Sequence, residues 1–177
     1  MNEIGERLNQ VNALIAAPAA QAKRDPQSIR LVAVSKRQPS ESMRAAYALG
    51  QRDFGENYVQ ELQRKADELK DLPDLRLHLI GHLQRNKVKT VVPLTSAIHT
   101  VDSIELATEI SKRAANCEGV AVRQFPVSGR ASTRGLPILV EVNVGGEVQK
   151  SGCEPGDLPP LLDAIETLPH VQLAGLM

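Results

Sequence analysis

The side chains in this sequence that could do chemistry are an amine at a strand end, an imidazole on a strand, and loop groups around glycines. Lys36 directly follows the apolar run Leu31-Val32-Ala33-Val34. That places it at the carboxyl end of a first strand, where α/β barrels carry their functional groups. An amine partly desolvated there by apolar walls has its charged form disfavoured, and attack on an aldehyde requires the neutral form. The same position suits a solvated lysine that merely ends a strand. Asn57, in Phe54-Gly55-Glu56-Asn57-Tyr58, follows a second strand. It fits the mouth of a sheet and equally the N-cap of the next helix, with Gln60 completing a capping box. Glu56 either orients a neighbour or is solvated.

His78 alternates with Leu77 and Leu79 and so faces away from them, into a barrel or a helix layer. His78 and His82 make a poor metal pair. Their spacing suits a helix face, yet they fall on a strand and a turn with no carboxylate or thiol nearby. Residues 142–152 carry glycines and could cradle a ligand, but they lack the spacing of a Walker loop or a dinucleotide fingerprint. A Gly-x-Ser-x-Gly elbow is absent, and no Cys and His pair has a recognisable context.

Composition narrows the partner. The 177 residues are 42% hydrophobic, enough for one domain's core, with 21 basic against 21 acidic side chains. A balanced charge gives no field to draw in nucleic acid or an anionic membrane. The only aromatics are Tyr47, Phe54, Tyr58 and Phe125, too few to stack single-stranded bases. Cys117 and Cys153 do not make a disulfide framework. Glu3, Glu6 and Arg7 interrupt any apolar leader, and no apolar run reaches membrane-spanning length. These features predict a cytoplasmic chain with a small-molecule partner.

The elements that must position those groups alternate. An opening helix has Ile4, Leu8, Val11 and Ile15 on one stripe with Leu14 beside it, weakened by Pro18 and the alanines around it. Strands are then predicted at 31–34, 53–55, 75–81, 97–101, 138–144 and 171–177. Five helices intervene, with Ser40, Asn57 and Asp102 as capping residues and Asp157 opening the last. The helix stripes are Val59, Leu62, Ala66 and Leu69, then Ile104, Ala107, Ile110 and Ala114, then Leu158, Leu161, Leu162, Ile165 and Leu168. Strict alternation implies a parallel sheet, as a barrel or an open doubly wound sheet. Residues 118–135 form an insertion loop with no assignable function. A chain that stops on a sixth strand lacks two βα units of a closed barrel and is expected to be truncated there.

Taken in order, Ala33-Val34-Ser35-Lys36, Phe54-Gly55-Glu56-Asn57-Tyr58-Val59-Gln60-Glu61, His78-Leu79-Ile80-Gly81-His82-Leu83-Gln84, Asn86-Lys87, Val101-Asp102-Ser103, Val142-Asn143, Glu147, Gln149-Lys150-Ser151-Gly152 and Gly175-Leu176-Met177 resemble the pyridoxal 5′-phosphate (PLP) homeostasis family. That family is similar to the N-terminal barrel of alanine racemases. The resemblance implies a single TIM-type (β/α)8 barrel domain over 1–177, truncated after the sixth strand. It implies PLP as cofactor, held as a Schiff base on Lys36, with Asn57, His78 and Met177 lining the ring pocket and Lys150 near the mouth. It further implies a carrier without turnover that delivers PLP to PLP-dependent apoenzymes, and a phosphate-binding and an arginine-bearing strand beyond Met177. The alternative it leaves is a PLP-dependent amino-acid racemase. Racemisation needs bases on both faces of the substrate, and Tyr47 and Tyr58 both read as helix positions. A complete barrel with balanced charge is expected to be a monomer.

Overall fold

A computed structural model describes residues 3–117, 135–147 and 151–177. Helix α1 (Glu3–Gln21) precedes six strands: β1 (Ala33–Val34), β2 (Asp53–Glu56), β3 (Arg76–Leu79), β4 (Ala97–Val101), β5 (Leu136–Val140) and β6 (Val171–Leu176). Between them lie α2 (Ser40–Ala48), α3 (Val59–Glu68), α4 (Val88–Val91), α5 (Ile104–Ala114) and α6 (Leu158–Glu166). All strand pairs are parallel and the order is β1-β2-β3-β4-β5-β6. A doubly wound sheet reverses its strand order at a switch point. This sheet never reverses, so it is singly wound in the manner of a (β/α) barrel. Among the described residues β1 and β6 are its two edges.

Strand alternation sorts the sheet's faces. Phe54 and Leu77 pack with Met43 of α2 and Leu69 at the end of α3. Leu79, Ile98, Ile138 and Val140 join Leu62, Val88, Val91, Ala107, Ile110, Leu161 and Ile165 from the helices that follow. Asp53, Gly55 and His78 alternate with these residues and point to the opposite, inner face. Asp53 and His78 therefore face away from the helices, where a ligand or a buried network must satisfy them, while Glu56 shares the helix-facing side with Phe54 and meets Lys65 of α3.

Several local expectations are corrected. Helix α1 runs through Pro18, which sits exposed on its outer side, and Val11 and Leu14 are exposed instead of forming a buried stripe. The caps of α2, α3 and α5 are Pro39, Tyr58 and Ser103, none with a side-chain cap bond. Ser40, expected to cap, is engaged elsewhere: it donates to Glu68 across the helix layer. Ile104 is exposed, because as the first residue of α5 it precedes the buried stripe of Leu106, Ala107, Ile110 and Ala114. Strand β5 starts earlier and ends at Val140, since Val142 and Asn143 leave the ladder to bridge Cys153. Of the 118–135 insertion, all but Gly135 lies outside the described residues.

Candidate functional site

The carboxyl ends of the strands carry most of the residues singled out by the sequence. Lys36 occupies a turn just past β1, closed by the Gln38 amide donating to the Ser35 carbonyl at 3.0 Å. Its side chain is exposed and has no hydrogen-bond or ion-pair partner among the described residues. Among the described residues the apolar walls expected around it are therefore not there. The turn projects beyond the last residue of β1, which pairs on one side only among the described residues.

Beneath that turn lies a network of which the sequence points only to Glu56. Lys65, on α3, is completely buried. Its Nζ donates to the Ser35 carbonyl at 2.5 Å and to Glu56 Oε1 at 2.7 Å, and lies 2.9 Å from Glu61 Oε1. Glu56 Oε1 also accepts from the Ser35 hydroxyl at 2.6 Å, and Glu61 Oε1 from the Arg37 amide at 2.7 Å. Burial by itself would raise the Glu61 carboxyl, but the bonds from Lys65 and the Arg37 amide hold it below the usual glutamate range. One signal for Lys65 is legible: it falls between Leu62, Ala66 and Leu69 on the apolar stripe of α3, where a charge must find partners.

Asn57 follows β2, half-buried. The chain at Gly81 passes so close that a Cβ there would stand 2.2 Å from the Asn57 carbonyl oxygen. Only glycine admits that approach, which seats the end of β3 against the loop bearing Asn57.

His78 lies lower and is fully buried on the inner face. Its Nε2 is 2.9 Å from Asp53 Oδ1 and its Nδ1 is 2.9 Å from His99 Nε2. Nε2 of His78 faces a carboxylate and so donates to Asp53, while its Nδ1 shares a hydrogen with His99 Nε2. Asp53 also accepts a fork of two 2.7 Å bonds from Arg76, with Arg30 3.8 Å away. Burial would raise the Asp53 carboxyl, yet the bonds from Arg76 and His78 hold it far below the usual aspartate range. His99 is pushed down to about 4, by burial first and then by His78. Both ring nitrogens of His78 are thus engaged inside the sheet. Asp53, Arg76 and His99 do not stand out in the sequence, although strand alternation puts His99 two residues beyond the buried Ala97.

Met177 sits past β6, half-exposed, its amide donating to Val140 and its carbonyl accepting from Val142. It borders a cavity of about 520 Å³ with Glu141, Asn143, Glu147 and Ser151. Asn143 is buried and its side-chain amide donates to the Glu147 carbonyl at 3.1 Å, closing the loop on itself. Lys150 lies outside the described residues. The fold brings Lys36 and Asn57 together on adjacent strands and puts Met177 at the same end of the sheet, across its width. His82 stands on this rim too, 3.7 Å from Asp102 and apart from His78.

The model of the alanine racemase N-terminal domain family matches residues 8–177. A pyridoxal phosphate homeostasis protein of Pseudomonas aeruginosa is 41% identical over the whole chain, which spans 70% of that relative. The chain belongs to the pyridoxal phosphate homeostasis family. A Bos taurus protein of the same description is 36% identical over 98% of the chain, which spans 62% of it. Among solved structures, PipY of Synechococcus elongatus without PLP superposes with a TM-score of 0.76 at 38% identity, covering 99% of this chain and 70% of PipY. PipY with PLP bound superposes with a TM-score of 0.74 at 36% identity, with 99% of this chain and 69% of PipY covered. In this family member the strand order, the carboxyl-end rim and the inner-face network therefore describe an alanine-racemase-type fold. Among the described residues no helix is long and apolar enough to cross a membrane.

Proposed function

We propose that the chain binds PLP at the carboxyl end of its sheet and holds it as a Schiff base on Lys36. The observation that carries this reading is the state of that amine. Among the described residues Lys36 stands on the rim with no carboxylate attached, while Lys65 a short distance below is engaged by two. A lysine that does chemistry must be free of a fixed counter-charge, because an ion pair keeps it protonated. The rim fits the cofactor in this respect, and the PLP bound to PipY supports the same ligand class. Bound PLP supplies an aldehyde carbon that an uncharged amine captures reversibly. Lys36 would provide that amine, Asn57 and Met177 would border the ring from either side, and Lys150 would stand near the mouth. His78 would act from below, its ring fixed by Asp53 and His99.

No turnover is expected. An amino-acid racemase needs a second base opposite the lysine. Among the described residues Tyr47 is covered by the Arg52 guanidinium, 3.9 Å from its ring centre. Tyr58 is at the start of α3 with its ring half-exposed. Delivery to PLP-dependent apoenzymes in the cytoplasm, by a monomer, completes the reading. The two cysteines are free thiols, as a reducing compartment keeps them.

The test mixes the protein with PLP and follows the imine absorbance band, then fixes the adduct with borohydride and maps it by peptide mass. The label is expected on Lys36, and Lys36→Ala should lose both band and label. Undiminished capture by Lys36→Ala would sink the reading. Alpha-proton exchange from amino acids in deuterated water should be absent at high protein concentration, and its presence would revive the racemase alternative.

A further inference from the structure

The turn that presents Lys36 is in an unfavourable backbone conformation and is held from below. Ser35 to Gln38 form four residues closed by one hydrogen bond, with Lys36 and Arg37 in the middle. Arg37 has φ 60°. A left-handed third position in such a turn calls for glycine or asparagine. An arginine stays there only where the surroundings over-determine it. Those surroundings are specific. Glu61 accepts from the Arg37 amide at 2.7 Å on one side of Lys36. On the other side Lys65 donates to the Ser35 carbonyl, and Glu56 accepts from the Ser35 hydroxyl. Both neighbours of Lys36 are thereby tied to one buried ammonium, directly or through a carboxylate. Glu61 and Lys65 are four residues apart on α3, so a single helix face makes the clamp.

We infer that Glu61 and Lys65 are positioning residues for Lys36, locking the strained turn so that the backbone bearing its amine is held in one place at the rim. This rests on Lys36 being the capture amine. Neither residue touches the cofactor. Their contribution is orientation, fixed before binding. Glu61 is the better residue to vary, because removing Lys65 strands two carboxylates in the interior and endangers the fold.

The experiment uses the full chain with Glu61→Ala, Glu61→Gln, Arg37→Gly and Lys36→Ala, and the Glu61→Ala/Arg37→Gly double variant. Two quantities are measured: PLP capture by imine absorbance, and hydrogen exchange at the residue 37 amide without ligand. Glu61→Ala should weaken capture by about tenfold, the order of one strained backbone position, and speed exchange at Arg37. Glu61→Gln keeps an acceptor for that amide and should retain most of the affinity. Arg37→Gly in the Glu61→Ala background should restore capture, since glycine adopts the left-handed angle without strain. A merely structural Glu61 would lower thermal stability and capture together, and glycine would rescue neither. The clamp is refuted if Glu61→Ala captures PLP like wild type while Lys36→Ala does not, an outcome that leaves the Lys36 reading standing. Undiminished capture by Lys36→Ala overturns both.

Discussion

Strands β2 and β3 carry two polar networks that differ in what they leave over. At the carboxyl end, Glu56, Glu61 and Ser35 gather around Lys65, and the amine of Lys36 emerges beyond them without a partner among the described residues. At the other end, Asp53 is surrounded by Arg76, His78 and Arg30, with His99 stacked edge-on behind His78. The lower network sets one carboxylate against two guanidinium groups and lies on the inner face. The upper one sets two carboxylates against one ammonium, and the backbone it grips belongs to the turn bearing the proposed capture amine. Buried ion pairs are weak evidence for added stability, and their value in the upper network lies in geometry. Two lysines with the same chemistry thus sit in opposite surroundings, one buried among carboxylates and the other exposed at the rim.

The largest effect that separates the two lysines is on stability. Lys65→Met should cost about 3–5 kcal/mol, the penalty for a buried charge cluster that loses its counter-ion, read as a lower urea midpoint. If Lys65→Met unfolds at the wild-type midpoint, the Lys65 ammonium is not what holds those two carboxylates in place. Next comes the lower network. Asp53→Asn should cost about 2–3 kcal/mol through weakened charged hydrogen bonds to Arg76 and His78, in the same urea titration. It should also remove part of the acid sensitivity. Asp53 has its folded value held below the ordinary 3.8, so its stabilisation is complete above that pH and is lost as the pH falls further.

The imidazole behind it acts in a different window. His99 binds a proton near pH 6.5 when unfolded and only near pH 4 when folded. Between those values the unfolded state holds the extra proton, so stability should fall as pH drops from 6.5 towards 4 and then level off. Replacing His99 with Gln should flatten that slope in urea titrations at a series of pH values, and an unchanged slope would remove His99 as its source. Smallest of all, Lys36→Ala should change stability by no more than about 0.5 kcal/mol, the usual range for an exposed side chain without partners. A larger loss would mean that the amine is engaged after all and would weaken its assignment to capture.

Much of the fold is legible in residue order. The β4 range Ala97–Val101 can be read to the residue, because four apolar or β-favouring positions among its five lie between a loop and a helix start. The α6 stripe of Leu161 and Ile165 is also legible from its period. Cap positions are not. Asn57 and Asp102 have capping chemistry, yet one more residue of extended backbone precedes each helix and passes the cap to Tyr58 and Ser103. On the site, Lys36 is legible from its place after an apolar run, and the exposure of its amine is not. His78 is visible as the residue between two leucines, while its bonding to Asp53 and His99 joins three strands and leaves no local mark.

By itself the sequence determined which residues alternate, hence that the sheet is parallel, that helices follow strands, and that Lys36 stands at a carboxyl end. Those properties depend on spacing along one chain segment, and periodicity carries them. Tertiary structure alone decided that the strands wind in one direction, that Lys65 meets Ser35, Glu56 and Glu61 below Lys36, and that His78 spends both nitrogens below the rim. Each of these depends on groups distant in sequence meeting at bonding distance, and a hydrogen bond between segments is fixed only when the layers pack.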